Sequence, residues 1–264
     1  MKTNQKKVAF ITGATSGIGE AFARACAGTG HDLIITGRRR EKIYSVANSI
    51  RQLYNVSVEV IIAELSDRDD LTKLAERIHA IDRLSILINN AGFAENGIFH
   101  QQDIGRQSNM IGVHINTTME LTHAALPGMV KRESGAVINV SSIGGFMPFP
   151  NNAVYSGSKA FVFYFTESIS LELRDTCVKV QALCPGITVT DFHEKMGLAP
   201  REIYKTKGMM RAMSPDKVVE LSFTYLKKNR PICIPGRHNR ITYLLTRFLP
   251  RKLLYTLIDA SFKK

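Results

Sequence analysis

The sequence has no tryptophan, few cysteines and no long hydrophobic run among its 264 residues. No stretch approaches the roughly 18 uncharged apolar residues of a spanning helix, so a transmembrane segment is not expected. The four cysteines show neither CxxC pairs nor metal-ligand spacing with histidine, which fits reduced, packed thiols. The polar residues before Val8 lack the apolar core of a signal peptide. We therefore expect a cytoplasmic protein without a metal site.

Acidic side chains are also scarce, with 23 Asp and Glu against 35 Lys and Arg and a formal charge of +12. Such an excess fits contact with nucleic acid, an anionic membrane or a phosphorylated ligand, or simply a basic surface. Between Pro215 and Lys264 there are 11 basic and 3 acidic residues, so +8 of the charge lies in this segment. No nucleic-acid-reading motif accompanies these residues, and we expect no nucleic-acid partner.

Hydrophobic residues, 44% of the chain, form short β-branched runs that alternate with amphipathic stretches of helical length. The strand candidates are Val8–Thr12, Asp32–Thr36, Ser57–Glu64, Leu84–Asn89, Ala136–Ser141, Val178–Cys184 and Ile232–Ile234. The helix candidates are Gly17–Thr29, Arg39–Tyr54, Asp67–Ala80, Asp103–Arg132 and Ala153–Arg174. This alternation predicts an α/β fold, a Rossmann-like doubly wound parallel sheet with helices on both faces. Because no repeat or flexible linker interrupts it, we expect residues 1–264 to form a single domain.

A glycine-rich turn joins the first predicted strand to the first predicted helix. Glycines let the backbone turn tightly and approach a pyrophosphate, and the helix N-terminus offers free N–H groups and a positive dipole. A tight strand-to-helix turn without a ligand is the structural alternative, but the position after the first strand favours a dinucleotide. The predicted cofactor contacts in this turn are Gly13, Thr15, Ser16, Gly17, Ile18 and Gly19.

The end of the second strand indicates which dinucleotide binds. NAD-binding units carry an acidic residue there, which holds the ribose 2′-hydroxyl. This sequence instead has Gly37 followed by Arg38, Arg39 and Arg40. A guanidinium suits a 2′-phosphate, which a carboxylate would repel. We therefore expect NADP(H), with Arg38 as the phosphate ligand; a solvated helix start is the alternative interpretation, above all for Arg40.

Three polar side chains are expected at one edge of the sheet. Tyr155 and Lys159 are one helical turn apart and lie on one helix face. Ser142 follows the fifth strand candidate, and ligands of doubly wound sheets bind at the carboxyl ends of strands. The sequence thus offers a hydroxyl, a phenol and an ammonium group on the same side as the glycine-rich turn.

These motifs resemble those of the short-chain dehydrogenase/reductase family, and the similarity extends over nearly the whole chain to about Thr190. It comprises the TGxxxGxG turn (Thr12, Gly13, Gly17, Gly19), the NNAG motif (Asn89, Asn90, Ala91, Gly92), the catalytic serine (Ser142), the YxxxK pair (Tyr155, Lys159), the active-site asparagine (Asn116) and the PGxxxT segment (Pro185, Gly186, Thr190). One departure is Glu64-Leu65, where the family usually has aspartate followed by an apolar residue.

The resemblance implies hydride transfer between NADP(H) and a carbonyl or alcohol. Tyr155 would protonate the carbonyl oxygen, Ser142 would hydrogen-bond it, and Lys159 would hold the nicotinamide ribose and favour the phenolate. Asn116 would support a water-linked proton path, although hydrogen bonding within its helix is an alternative. The further cofactor contacts that the resemblance implies are Glu64, Leu65, Asn90, Tyr155, Lys159, Pro185, Gly186, Ile187 and Thr190.

The substrate is constrained less by the sequence. Apolar residues near the expected site, including Phe146 and Phe192, indicate an apolar carbonyl or alcohol, with local packing as the alternative. Residues 187–213 lose periodicity and are interpreted as a substrate lid or a variable surface insertion. A 3-oxoacyl-thioester reductase of lipid metabolism is a second hypothesis. A non-catalytic NADP-binding sensor or scaffold is a third, but it would need none of the groups at Ser142, Tyr155 and Lys159.

Residues 237–264 form a basic amphipathic C-terminal extension, which Pro250 should divide into two short helices. Such a segment can lie on an anionic membrane surface or bury its apolar face against the domain or another subunit. The family resemblance implies a homodimer or homotetramer. We therefore expect a homo-oligomer and keep peripheral membrane contact open.

Overall fold

The computed structural model describes residues 6–194 and 211–262. Its strands form one parallel sheet in the order β3-β2-β1-β4-β5-β6-β7. The strands are β1 (Val8–Thr12), β2 (Asp32–Gly37), β3 (Val58–Ile62), β4 (Leu84–Asn89), β5 (Gly135–Val140), β6 (Val178–Leu183) and β7 (Ile232–Cys233). The helices are α1 (Gly17–Gly28), α2 (Arg40–Leu53), α3 (Arg68–His79), α4 (Ile104–Ile111), α5 (Thr117–Lys131), α6 (Ala153–Glu172), α7 (Asp191–Glu194), α8 (Pro215–Lys227), α9 (Arg237–Phe248) and α10 (Arg251–Phe262).

Two hydrophobic layers cover the faces of the sheet because side chains alternate along each strand. On β1, Ala9 and Ile11 belong to the layer formed with α1, α2 and α8, whereas Val8 and Phe10 belong to the layer formed with α3 and α5. All five residues of β1 are buried. This is the pattern of a central parallel strand covered on both sides, and the predicted fold class is confirmed.

The strand order reverses at β1, which has β2 on one side and β4 on the other. In an open α/β sheet such a reversal opens a crevice at the carboxyl ends of the strands. The glycine-rich turn follows β1, and the segments that follow β4, β5 and β6 end at the same edge. The topology therefore brings together the motifs that are far apart in the sequence.

One predicted helix is present but contains an irregular turn. The segment Asp103–Arg132 is not a single regular helix but consists of α4, a π-helical turn at Gly112–Asn116 and α5. The other element boundaries agree with the predicted ones within a few residues, the largest difference being β3, which is shortened at both ends. A π turn inserts one residue into the helical repeat, so the side chains around it point differently from those of a regular helix.

The predicted lid at residues 187–213 is described only at its ends, and residues 195–210 lie outside the described part of the chain. The two ends are held together by a parallel bridge between Thr188 and Met213. In this bridge the Val189 N–H donates to the Met213 carbonyl oxygen and the Met213 N–H donates to the Ile187 carbonyl oxygen, both at 3.0 Å. The two described ends of the segment therefore meet beside the carboxyl end of β6.

Candidate active site

The glycine-rich turn is packed so closely that its glycines cannot carry side chains. Gly13 and Gly17 have positive φ angles of 66° and 61°. A Cβ atom on Gly13 would lie 2.8 Å from the Ala91 Cα, and one on Gly17 would lie 2.7 Å from the Thr190 Cγ2. A Cβ atom on Gly19 would lie 2.3 Å from the Gly13 carbonyl oxygen. The turn is therefore in contact with the segments after β4 and β6, as a cofactor cradle requires.

Asn90 maintains the shape of this turn. Its side-chain amide donates to the carbonyl oxygens of Thr12 and Gly13 at 3.1 and 3.0 Å. The Thr12 hydroxyl in return accepts the backbone N–H groups of Asn90 and Ala91, both at 3.0 Å. The loop after β4 and the glycine-rich turn thus form one hydrogen-bonded unit.

The N-terminus of α1 has backbone donors to offer a ligand. Ser16 is its N-cap residue but makes no side-chain capping hydrogen bond to the helix. Instead, the hydroxyls of Thr15 and Ser16 accept from the guanidinium of Arg39, at 2.8 Å in the case of Ser16. Ile18, in the first turn, is only partly buried and packs against the core. Helix N-termini of this kind favour bound phosphate.

The two arginines after β2 have different surroundings. Arg38 is exposed and pairs with Glu64, with 3.0 Å between its Nη1 and the Glu64 Oε2. Arg39 is half-buried, lies over the glycine-rich turn and reaches Asp191 at 3.4 Å. The sequence favours Arg38, but it is Arg39 that contacts Thr15 and Ser16, because only the fold shows which of two adjacent side chains points toward that turn. Leu65, next to Glu64, is buried in the hydrophobic layer beside α3.

Ser142, Tyr155 and Lys159 are brought together at the carboxyl end of β5. The Ser142 Oγ accepts the Gly144 N–H at 3.0 Å and is hydrogen-bonded to the Tyr155 phenol. The Lys159 Nζ lies 5.9 Å from the centre of the Tyr155 ring and donates to the Val140 carbonyl oxygen at 2.9 Å. The hydroxyl, phenol and ammonium groups therefore line one side of the crevice.

Burial sets the protonation states of this cluster. It raises the pKa of Tyr155, and the hydrogen bond from Ser142 opposes that effect. Burial also lowers the pKa of Lys159 to about 8. At neutral pH the phenol therefore keeps its proton, and the ammonium group keeps its charge beside it.

The loop after β5 is fixed against α6 by close backbone contact. The Ser141 hydroxyl donates to the Lys159 carbonyl oxygen at 2.7 Å. A Cβ atom on Gly145 would lie 2.7 Å from the Lys159 carbonyl carbon, so no larger residue fits between the two segments. The positions of Ser142 and Lys159 are thus set by the same contact.

Asn116 does not join this cluster. It ends the π turn with an exposed side chain, whereas His114, two residues earlier, is 1% exposed. Residues two apart on a helix differ by about 200° in direction and so face opposite sides. The active-site role of Asn116 stays a prediction, and the helix face directed at Tyr155 carries His114.

His114 is not among the site residues expected from the sequence, although the spacing of the residues around it indicates that it faces inward. Met110, Val113, Thr117 and Leu121 follow helical spacing and are buried, and His114 falls within their stripe. Its ring lies 5.8 Å from the Tyr155 ring, at an interplanar angle of 75°. The periodicity of the buried residues therefore predicts an inward His114 more directly than the family motif does.

The segment after β6 borders the glycine-rich turn. The Pro185 carbonyl oxygen accepts the Ile143 N–H at 3.0 Å, which ties this segment to the loop that carries Ser142. A Cβ atom on Gly186 would lie 2.5 Å from the side chain of Asn239, at the start of α9. Ile187 takes part in the bridge to Met213, and Thr190 contacts Gly17 as described above.

Two of the aromatic residues expected near the substrate, Phe146 and Phe192, have different surroundings in the structure. Phe146 packs against Phe163 and Tyr243, with ring centres 5.1 and 4.6 Å apart, and belongs to a small hydrophobic cluster. These contacts are the local packing that was the alternative for Phe146, and its place beside the substrate stays a prediction. Phe192 does reach the site, because its ring centre lies 5.9 Å from that of Tyr155.

The described part of the chain has neither a membrane-spanning helix nor a cluster of metal ligands. In residues 6–194 and 211–262, no helix is long and apolar enough to cross a membrane. Within the same ranges, no group of three or more His, Cys, Asp or Glu side chains could hold a metal ion. All four cysteines are free thiols, and only Cys177 is exposed.

Comparison with known proteins gives consistent matches. A family model described as short chain dehydrogenase matches residues 7–200. An uncharacterized oxidoreductase of Staphylococcus saprophyticus is 33% identical over 206 residues, 75% of this chain and 88% of the relative. The structure of a short-chain dehydrogenase from Sphingobium yanoikuyae in complex with NADPH is 30% identical, with a TM-score of 0.83 and 95% of both chains covered. That of a bulky-bulky ketone specific alcohol dehydrogenase from Comamonas testosteroni is 27% identical, with a TM-score of 0.79 and coverage of 96% and 95%.

Proposed function

This chain belongs to the short-chain dehydrogenase family, and we propose that it is a cytoplasmic NADPH-dependent oxidoreductase that interconverts a carbonyl and an alcohol. The observation that carries the proposal is the cluster of Ser142, Tyr155 and Lys159 beside the glycine-rich turn. The protonated phenol and the charged lysine are the groups that carbonyl reduction needs at neutral pH.

The residues present fit a dinucleotide. The turn after β1 has positive φ angles at Gly13 and Gly17, and a Cβ atom on any of its three glycines would collide with neighbouring atoms. This leaves a cradle for a pyrophosphate at the start of α1. Gly13, Thr15, Ser16, Gly17, Ile18 and Gly19 would hold it, and Glu64, Leu65, Asn90, Pro185, Gly186, Ile187 and Thr190 would border the rest. A nicotinamide dinucleotide bound there supplies the hydride.

Ser142 orients the substrate oxygen. Its Oγ accepts the Gly144 N–H, which leaves its own proton available for donation to Tyr155 or to a substrate oxygen. A carbonyl oxygen placed between the two hydroxyl groups would accept one hydrogen bond from each. These donors stabilise the negative charge that develops on that oxygen during reduction.

Tyr155 supplies the proton. Its raised pKa keeps the phenol protonated in the free protein, which suits a general acid in the direction of reduction. The ammonium group of Lys159 lies over the same ring and favours the phenolate that remains after the proton has left. In the reverse direction the same pair would accept the proton from an alcohol.

The preference for NADP(H) over NAD(H) is proposed from the arginines after β2. Arg38 remains a predicted 2′-phosphate ligand, and Arg39 is a second candidate because it lies over Thr15 and Ser16. Both now pair with carboxylates, Glu64 and Asp191, and a phosphate would be an alternative partner for each.

An Arg39→Ala variant should bind NADPH at least about tenfold more weakly and NADH nearly as well as before. Arg40→Ala, two positions from Arg38 on the exposed start of α2, is the matched control.

We propose an apolar ketone or aldehyde as the substrate. Phe192 beside Tyr155 gives the site an aromatic wall. The Comamonas testosteroni relative is named for its specificity toward bulky-bulky ketones, which supports the same class here.

A panel of carbonyl compounds assayed with NADPH and with NADH tests the proposal. We expect oxidation of NADPH with at least one aryl or alkyl ketone, a slower rate with NADH, and turnover lowered by about a hundredfold or more in Tyr155→Phe. A clear preference for NADH would contradict the role of the arginines. Turnover by Tyr155→Phe at the original rate would contradict the assignment of the acid.

We also propose that the chain forms a homo-oligomer through the outer faces of α4, α5 and α6. Large apolar side chains are exposed there, namely Ile104, Ile111, Met119, Val130, Phe161 and Tyr164. A second copy of the chain would remove them from water. Sedimentation velocity should give a dimer or tetramer, and Tyr164→Glu should shift it toward the monomer; a monomeric parent chain would contradict this proposal.

The C-terminal helices carry a different surface, which we propose contacts anionic lipid. Ile241, Leu244, Leu245 and Phe248 follow helical spacing on α9 and are all at least 41% exposed. Arg247 is exposed beside them, and Arg251 and Lys252 begin α10. A full-length Leu244→Ser/Phe248→Ser variant should lose flotation with phosphatidylserine vesicles and keep its oligomeric state. Loss of the oligomer instead would identify this face as a subunit interface.

A further inference from the structure

His114 is a buried titratable residue that the proposed chemistry does not use. It lies in the π turn between α4 and α5, with its ring centre 5.8 Å from that of Tyr155. π turns in helices are frequent at functional sites. Both ring nitrogens of His114 have partners, and these partners belong to two different parts of the active site.

The hydrogen bonds define the state of the ring. The Phe93 N–H donates to the His114 Nε2 at 3.1 Å, so this nitrogen carries no proton. The neutral ring then has its proton on Nδ1, which lies 2.8 Å from the Ser158 Oγ. The Ser158 hydroxyl in turn donates to the Tyr155 carbonyl oxygen at 2.8 Å. A directed chain of three hydrogen bonds therefore runs from the loop after β4 through the imidazole to the backbone of the catalytic tyrosine.

The packing around the ring is equally specific. A Cβ atom on Gly92 would lie 2.8 Å from the His114 Nε2, so the loop approaches the imidazole as closely as its backbone permits. On the other side the ring contacts the edge of Tyr155. The imidazole thus fills the space between the loop after β4 and α6 and has a hydrogen bond to each.

We propose that His114 is a positioning residue that links the loop after β4 to α6 and thereby fixes the phenol of Tyr155 against Ser142. It is not a proton relay, because both of its nitrogens are occupied by protein groups. The inference rests on the proposed role of Tyr155 as the acid. Its consequence is that the orientation of Tyr155 depends on a neutral imidazole at this position.

The surroundings keep the ring neutral. The titratable side chains that face His114 in the described residues are Tyr155 and Lys159, both on α6. Neither carries negative charge at neutral pH. Burial and the charge of Lys159 lower the pKa of His114 well below its usual value. A proton on Nε2 would also point at the Phe93 N–H and break that contact.

Three variants and one control test the proposal. His114→Phe keeps a ring against Tyr155 but loses both hydrogen bonds, His114→Gln keeps one donor and one acceptor on its amide, and Ser158→Ala removes only the partner of Nδ1. His123→Phe is the matched control, because His123 is an exposed histidine on α5. Thermal unfolding of each variant establishes that it is folded.

The first readout is the ionisation of Tyr155, measured as the ultraviolet difference spectrum between each variant and the same variant carrying Tyr155→Phe. In His114→Phe the pKa of Tyr155 should rise further, because the Ser142 hydrogen bond that lowers it is weakened. The second readout is carbonyl reduction: we expect kcat to fall about tenfold while the Kd of NADPH, measured by fluorescence, changes less than about twofold. Ser158→Ala should give a smaller loss, and His114→Gln should recover most of the rate.

An unchanged Tyr155 titration in folded His114→Phe or in Ser158→Ala would overturn the proposal, whether or not a substrate is known. Equal losses in His123→Phe and His114→Phe would also overturn it. If the parent chain reduces no carbonyl while the Tyr155 titration responds to His114 as expected, the proposed function fails and the positioning role remains. The two outcomes are therefore distinguishable.

Discussion

At the scale of single residues, the site depends on burial more than on charge pairing. Within the described residues, no carboxylate pairs with Ser142, Tyr155 or Lys159, and the pKa values of Tyr155 and Lys159 move because water is excluded. A hydrogen bond from Ser142 orients the Tyr155 phenol, and a hydrogen bond to the Val140 carbonyl oxygen orients the Lys159 ammonium group. The protonated phenol and the charged ammonium therefore coexist in one buried cluster.

His114 makes stability depend on pH. In the folded chain the pKa of His114 lies well below its ordinary value of 6.5. At a pH between the folded-state pKa and 6.5, the unfolded chain therefore binds a proton that the folded chain does not. The free energy of unfolding should therefore decrease as the pH falls below about 6.5, by up to about 1.4 kcal/mol per pH unit for this one group. Urea unfolding of the parent and of His114→Gln between pH 7 and pH 5 measures how the free energy of unfolding depends on pH. We expect a weaker dependence on pH in the variant. Equal slopes would contradict the buried neutral state.

Lys159 should set an alkaline limit on activity. Burial lowers its pKa to about 8, so its charge is lost as the pH rises through that value. The phenolate of Tyr155 then loses the cation that stabilises it, and kcat/KM for NADPH, which reports the free enzyme, should decrease above about pH 8. Initial rates across the pH range check this expectation. A profile that stays level to about pH 9.5 would show that Lys159 keeps its proton.

At the scale of elements, the site is made from the ends of strands and the first turns of helices. The turn after β1 contacts the loop after β4 through Gly13 and Gly19 and the segment after β6 through Gly17, and the loop after β5 contacts α6 through Gly145. Each of these contacts joins segments that are distant in the sequence. A side chain at any of them would separate two parts of the site.

Gly19 gives the sharpest test of that close contact. In Gly19→Ala the new Cβ atom would lie 2.3 Å from the Gly13 carbonyl oxygen and 2.5 Å from the Asn90 Nδ2, so the turn has to move. We expect NADPH affinity to fall by about tenfold or more, since the cradle of the pyrophosphate changes shape. Gly28→Ala is the control on the same helix, because its Cβ atom would meet only the Tyr54 ring at an ordinary 3.6 Å. Fluorescence titration compares the two variants, and equal affinities would contradict the account of the turn.

Regular elements were predictable from the sequence, and irregular ones were not. The alternation of buried strands and amphipathic helices predicts the sheet and most helix boundaries, because burial imposes the periods on which that prediction depends. The π turn at Gly112–Asn116 has no such signature, and only the stripe of apolar positions around it indicates that His114 faces inward. For the same reason, the choice between the adjacent Arg38 and Arg39 required the fold.

At the scale of the whole molecule, the glycine-rich turn after β1 and the proposed acid Tyr155 lie at the same edge of the sheet. The reversal of strand order at β1 creates the crevice, and two hydrophobic layers keep the strands that border it in place. The excess of positive charge has two proposed uses, one near Arg38 and Arg39 and one on the C-terminal helices. Neither belongs to the cluster of Ser142, Tyr155 and Lys159.

Cofactor binding should stabilise the whole domain, because the cradle exists only in the folded chain. At a free NADPH concentration of about 100 Kd, the free energy of unfolding should rise by about 2.7 kcal/mol. NADH at the same concentration should give a smaller rise, since it lacks the 2′-phosphate. Thermal or urea unfolding with each dinucleotide measures the difference, and an equal effect of both would contradict the proposed preference.

The central claim is that Tyr155 donates the proton in NADPH-dependent carbonyl reduction. The most direct measurement compares the parent chain with Tyr155→Phe, using the carbonyl that the parent reduces fastest and the Kd of NADPH as a check on the binding site. We predict that kcat falls by about a hundredfold or more while the Kd of NADPH changes less than about threefold. A Tyr155→Phe variant that reduces the carbonyl at close to the original rate would contradict the claim.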